Sequence, residues 1–384
     1  MIDSLLPLDM VIEIMVQLPV KSLVRFRCVS KSFCVIIKSS NFINNHFLRR
    51  QTRDTLLLIR RYFPSPQEDD ALSFHKPDSP GLEEEVWAKL SIPFLSDLRL
   101  RYDQPYFPQS VIILGPCNGL ICIFYDDFII SCNPALREFK KLPPCPFCCP
   151  KRFYSNIIGQ GFGNCDSNFF KIVLVRTIKS VSDYNRDKPY IMVHLYNSNT
   201  QSWRLIEGEA VLVQYIFSSP CTDVFFNGAC HWNAGVFGIP YPGSILTFDI
   251  STEIFSEFEY PDGFRELYGG CLCLTALSEC LSVIRYNDST KDPQFIEIWV
   301  MKVYGNSDSW TKDFVLGPHL VIRPFIFWKN DDWLLVDNSN GQLASCALHT
   351  DEIKRFQVDG TEESLRVLIY NESLINLGQV IQLV

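Results

Sequence analysis

Cysteine is the side chain best suited to chemistry in this sequence, and the chain carries 15 of them among its 384 residues. Cys145-Pro146-Phe147-Cys148 has the spacing of a metal-binding or redox pair, and Cys271 with Cys273 is a second close pair. A structural zinc site takes four ligands, and no histidine stands at finger spacing beside either pair. Pro144, Pro146 and Pro150 argue for a loop and against the helix start of a thioredoxin-like site, so the first pair reads as a reduced loop. Gly159-Gln160-Gly161-Phe162-Gly163 is glycine-rich, but the apolar run Phe170–Val175 follows where a phosphate-binding loop needs a helix. These therefore read as turn glycines. His231 beside Trp232 lacks a serine or cysteine nucleophile with an acidic partner and reads as a core histidine. The expectation is a chain with no catalytic residue, no metal and no cofactor. The acidic runs Glu68-Asp69-Asp70 and Glu83-Glu84-Glu85 read as solvated loops, and they are the first places where a basic partner could be met.

Two kinds of element must position these residues. Over residues 1–50, Met10, Ile14 and Leu18 recur every fourth position with Val11 and Met15 beside them, which gives one apolar helix face. Pro7 suits a first helical turn, where its missing N–H costs nothing. Pro19 stops the helix, because its ring disfavours helical geometry in the residue before it. Leu23 and Phe26 mark a second helix, and Val29, Phe33 and Ile36 a third. Three short helices cannot bury this apolar surface among themselves. The remaining face must dock on the rest of the chain or on another protein, and periodicity alone does not choose between them.

From residue 51 to 384 the composition is that of strands and turns: short Val/Ile/Phe/Tyr runs broken by Gly, Pro, Asn and Asp. One pattern recurs, an apolar strand, a polar turn beginning with Asn, Asp or a similar residue, and an aromatic or apolar residue six positions on. Asn133 to Phe139, Asn197 to Trp203, Asp249 to Phe255 and Tyr304 to Trp310 show it; Ala347 to Ile353 is degenerate and Gly81 to Trp87 a sixth candidate. The closing positions lie roughly 50 residues apart, about one four-stranded propeller blade with its loops. The aromatics then pack between neighbouring sheets. Val367–Tyr370 and Ser373–Ile375 are placed to complete a blade begun by Thr55–Ile59, which closes the ring and leaves no open sheet edge. A pair of β-sandwiches is the runner-up. The fold class is thus α+β multidomain: a small helical module, then an all-β, propeller-like domain of about six blades.

Bulk properties bound the function. Hydrophobic residues make up 47%, with 29 Phe, 15 Tyr and 7 Trp, so the chain is a folded globule and not a disordered scaffold. The net charge of −8, spread along the sequence, argues against nucleic acid as the main ligand. Asp3 and Asp9 interrupt any signal-peptide pattern, and no run reaches the length of a membrane span. The odd cysteine count then fits reduced thiols in cytosol or nucleus.

The motifs also carry a resemblance. Leu6-Pro7, Leu18-Pro19-Val20-Lys21-Ser22-Leu23 and Arg25-Phe26-Arg27-Cys28-Val29-Ser30-Lys31-Ser32-Phe33 resemble the F-box in its plant form, with Phe33 where many F-boxes have tryptophan. Cys117-Asn118-Gly119-Leu120, Phe226-Asn227-Gly228 to Trp232, Phe248–Glu253, Ile298–Gly305 and Ser309–Lys312 resemble the F-box-associated domain. This implies a non-catalytic substrate receptor of an SCF-type cullin ubiquitin ligase, bound to a Skp-type adaptor through Leu6, Pro7, Ile14, Leu18, Pro19, Val20, Leu23 and Val29. No domain able to form a ubiquitin thioester is recognisable. Tyr370-Asn371-Glu372-Ser373-Leu374 and the cysteine-rich stretch after Leu142-Pro143 resemble S-locus F-box proteins, which implies style ribonucleases (S-RNases) as targets in pollen self-incompatibility. The alternatives are a ligase adaptor for another plant protein and a propeller scaffold without a role in degradation. The insertions 62–85 and 179–188 are the candidate target loops.

Overall fold

A computed structural model describes residues 7–50, 55–63, 69–75, 112–125, 128–146, 153–166, 169–180, 190–206, 215–216, 223–235, 243–264, 271–287, 292–338, 341–359, 365–378 and 381–382. Helices α1 (Leu8–Val16), α2 (Val20–Phe26), α3 (Lys31–Lys38) and α4 (Ser40–Arg50) precede the strands. The sequence predicts three helices; the fourth forms because Phe42, Ile43 and His46 share a buried side and Ser39 caps its start, its Oγ accepting the Phe42 N–H at 3.3 Å. His46 Nε2 meets the Leu18 carbonyl at 2.9 Å and ties α4 back to the end of α1. Pro7 and Pro19 sit immediately before α1 and α2, where their carbonyls accept the first helical N–H groups.

The strands form six antiparallel sheets arranged as propeller blades, as the repeat predicts. In chain order their innermost strands are Ile112–Cys117, Phe153–Asp166, Asp223–Phe226, Cys271–Leu277, Val321–Trp328 and Arg366–Tyr370, which begin blades one to six. The predicted closing residues Trp203, Phe255, Trp310 and Ile353 fall in the outermost strands of blades two to five, and Phe139 falls in the fourth strand of blade one, against which Ile381–Gln382 pairs as a fifth; Trp87 lies outside the described residues. The turns before them have a common build. Asn133, Asn197, Asp249 and Asn306 each accept a backbone N–H two or three residues on, through Oδ1. Arg137, Gln201, Glu253 and Asp351, four positions after the first residue of their turns, adopt positive φ of 53° to 62°. Nothing in the sequence pattern announced that left-handed step.

Most of these closing side chains seal a seam between blades. Phe139 is buried with Leu58, Phe74 and Tyr370 of blade six. The Trp203 indole donates to the Pro143 carbonyl beyond blade one at 2.8 Å, and Trp310 to Glu259 of blade three at 3.0 Å. Blade two meets blade three across Gly161 and Gly163. A Cβ on Gly161 would stand 2.5 Å from Cys230 Sγ, and one on Gly163 would stand 2.2 Å from the Phe225 ring. These glycines therefore lie within the strand Phe153–Asp166, not in a turn, and they permit a close approach of two sheets.

Blade six closes the ring with both ends of the chain. Arg366–Tyr370 pairs with Leu56–Phe63, register Leu57 to Ile369 and Leu58 to Leu368, and Asp69–His75 adds the outer strand. Ser373–Ile375, expected to be a further strand, is an irregular strap across blade one. The buried Asn133 Nδ2 donates to the Ser373 carbonyl at 3.1 Å and to the Ile375 carbonyl at 2.7 Å, and this holds the strap in place.

Candidate functional site

The chemistry candidates that the structure describes occupy structural surroundings. His231 is buried, with Nε2 against the Tyr304 hydroxyl at 2.9 Å and rings of Phe226 and Phe258 nearby. Burial lowers its pKa to about 4, so it stays neutral near pH 7. Cys145 is half-buried and Cys148 lies outside the described residues. Cys273 is buried in a strand, its thiol 3.8 Å from the Phe325 carbonyl. The innermost strands surround a channel of about 310 Å³ whose walls include Ile113, Phe162, Phe225, Phe325 and Val367, with Thr275 and Arg366 among them. Asp69 and Asp70, expected in a solvated loop, instead begin the strand Asp69–His75, paired with Phe63 and Tyr62; Glu68, Glu83-Glu84-Glu85 and most of both candidate target loops lie outside the described residues.

The helical module divides its apolar residues between two surroundings. Val20 and Leu23 of α2 are 0% exposed and share a core with Leu142, Leu374, Ile375 and Leu377 of the β domain. α2 also packs on the turn Pro134–Leu136. Arg27, just past α2, donates from Nη2 to the Leu374 carbonyl at 3.5 Å. Glu138 lies close by, accepting the Leu377 N–H at 3.0 Å and the Asn376 amide at 2.9 Å. Burial raises the Glu138 pKa and lowers that of Arg27, while their attraction opposes both shifts. Val20 and Leu23 therefore cannot belong to an adaptor-binding face in this conformation. The reason is physical: they are closed to solvent in a core that Met15, Val16, Ile37 and Phe42 of the module share with the β domain.

The remaining predicted contact residues are placed differently. Ile14 is 53% and Val29 66% exposed, Pro7 and Pro19 are exposed, and Leu18 is half-buried; Leu6 lies outside the described residues. Leu8, Met10, Val24, Val35 and Leu48 are also exposed, and the residue list drawn from the sequence omits them. Met10 lies one turn before Ile14, so helical spacing alone could have included it. Exposed aliphatics recur on all four helices, while α2 buries its other side on the propeller.

The residues that carry the S-locus resemblance also have structural duties. Tyr370 is buried, and its hydroxyl accepts the Ala135 N–H at 3.2 Å. Ser373 and Leu374 are wholly buried in the strap. They report how the ring is held to blade one.

Among the described residues no helix is long and apolar enough to cross a membrane. The F-box domain family matches residues 4–45, and the F-box associated beta propeller domain matches residues 87–377. F-box protein CPR1 of Arabidopsis thaliana is 24% identical over 96% of this chain and 88% of its own length. F-box protein At3g07870 of the same plant is 25% identical over 91% of this chain and 82% of its own. F-box/kelch-repeat protein At3g23880, also from Arabidopsis thaliana, is 24% identical over 80% of this chain and 78% of its own. The helical module, the six-bladed ring and these matches agree: the chain belongs to the plant F-box proteins that carry an F-box associated beta propeller domain.

Proposed function

We propose that this chain is a substrate receptor of an SCF-type cullin ubiquitin ligase. The observation that carries the reading is the exposed apolar surface of a module whose other side is already buried against the propeller. A Skp-type adaptor covers that surface, with Ile14, Val29, Pro7 and Pro19 at the contact, and it links the chain to a cullin. The propeller holds a target protein. Bringing a target lysine beside a ubiquitin thioester raises the effective concentration of the pair, and no bond chemistry is needed in this chain. Its place of work is the cytoplasm or nucleus.

The target proposed is a style ribonuclease recognised in the pollen tube. It is supported by the resemblance of Tyr370–Leu374 and of the cysteine-rich stretch to S-locus F-box proteins, and by a net charge of −8 that would steer a basic partner.

Capture of the tagged chain with a co-expressed Skp-type adaptor tests the first half. Ile14→Asp with Val29→Asp should remove the adaptor while the thermal midpoint stays put; adaptor retained by the folded double variant overturns the docking surface. Capture from pollen-tube extract with the proteasome inhibited tests the second. Ubiquitinated style ribonuclease beside adaptor and cullin supports the whole reading. Another ubiquitinated protein in its place discards the ribonuclease and keeps the receptor. Neither adaptor nor cullin leaves a propeller scaffold.

A further inference from the structure

We propose that His319, Cys346 and Asp351 form a three-ligand site for a thiophilic divalent cation of the zinc class, at the seam between blades four and five. His319 ends the outermost strand of blade four, Trp310–His319. Cys346 is buried in the third strand of blade five, and Asp351 stands in the turn that follows it. Their ligand atoms all lie within 4.8 Å of one another.

One distance fits the ion as it stands, and one needs a small adjustment. With zinc–sulfur near 2.3 Å and zinc–oxygen near 2.1 Å, tetrahedral geometry sets sulfur and oxygen about 3.6 Å apart. Cys346 Sγ and Asp351 Oδ1 are 3.6 Å apart. His319 Nε2 is 2.6 Å from the same oxygen, closer than two ligands of one ion, and must draw back by less than about 1 Å. A strand end facing a turn can yield that much. The Gly317 N–H already holds Asp351 Oδ1 at 3.1 Å, which orients the carboxylate from outside the ligand set.

The donor set chooses the class of ion. Imidazole, thiolate and carboxylate together suit zinc and its neighbours, whereas magnesium and calcium take oxygen alone. Asp351 is exposed, so water completes the fourth position. Binding displaces the Cys346 thiol proton to solvent and takes His319 as neutral imidazole, so affinity rises with pH. The bound ion staples two blades that are otherwise joined here by hydrogen bonds.

Cobalt(II) titrated into the reduced full-length chain reads the site directly. Thiolate-to-cobalt charge-transfer absorption should saturate at one equivalent and vanish in Cys346→Ser. Asp351→Asn and His319→Gln should each weaken binding at least about 10-fold. Zinc at a hundredfold excess over its Kd should raise the thermal midpoint by about 5 °C, and the variants should lose the shift. Absence of the charge-transfer band, or a band unchanged in all three variants, overturns the proposal: the trio is then only a hydrogen-bonded hub. Should Cys346→Ser fail to fold, His319→Gln, altered at a strand end, still decides.

Discussion

Aliphatic side chains on α1 and α2 end in two different surroundings. Val20 and Leu23 on α2, with Met15 and Val16 on α1, are buried in the core that the module shares with the propeller, whereas Met10 and Ile14 on α1 and Val24 on α2 stay in contact with solvent. Helical periodicity shows that a face is apolar and is silent about what covers it. A buried set explains how the module is held; an exposed set on an otherwise well-packed module points to a partner.

The sharpest way to break this contrast is to damage each side separately. Leu23→Ala should cost about 3 kcal/mol of stability, read by chemical denaturation, because it leaves a cavity in the core shared by the module and the β domain. Ile14→Asp should change stability by no more than about 0.5 kcal/mol and yet abolish adaptor capture. Equal destabilisation by the two would erase the distinction.

Acid gives an effect of similar size from within the ring. An unfolded imidazole takes up its proton near pH 6.5, but folded His231 does so only near pH 4. The unfolded state therefore binds more protons as pH falls through that window, and about 3 kcal/mol of stability should be lost across it. His231→Gln should flatten this part of a stability-versus-pH curve; an unchanged acid limb would assign it to other groups.

Asn133→Ala removes two buried hydrogen bonds to the strap and should cost about 2 kcal/mol. Hydrogen exchange should then speed up at residues 373–377 and in α2 together, since Leu374 and Leu23 share one core. Faster exchange in the strap alone would show that α2 is anchored independently. Smallest of all is the ion pair of Arg49 with Glu13, 2.6 Å long but exposed on both sides. Glu13→Gln should shift stability by less than about 0.5 kcal/mol, measurable by the same denaturation.

Much of the fold was legible because blades repeat. The Asn or Asp that opens the last turn in blades one to three and the aromatic that closes it in blades one to four recur through the chain, and together they place the outer strands. Blade six was legible from two apolar runs at opposite ends of the sequence. α4 was missed because Asn41, Asn44 and Asn45 dilute its apolar face. Gly159, Gly161 and Gly163 were misread because a glycine that spares a turn and one that spares a neighbouring sheet look alike in one dimension. The docking surface was half legible. Pattern matching found the helices, but only packing tells that Val20 and Leu23 face inward, and no pattern joins His319 to Cys346 across a seam.

The pairing of Leu56–Phe63 with Arg366–Tyr370 has a consequence for synthesis in the cell. The earlier strand leaves the ribosome and must wait for nearly all the rest of the chain before its partner exists. Until then blade six is open and the strap that seats α2 has not been made. A nascent or truncated product thus displays its helices on an unfinished ring, with bare sheet edges that chaperones and proteases can seize. Ring closure thus comes late in synthesis, and the strap and its core contacts exist only once the chain is translated through Leu377.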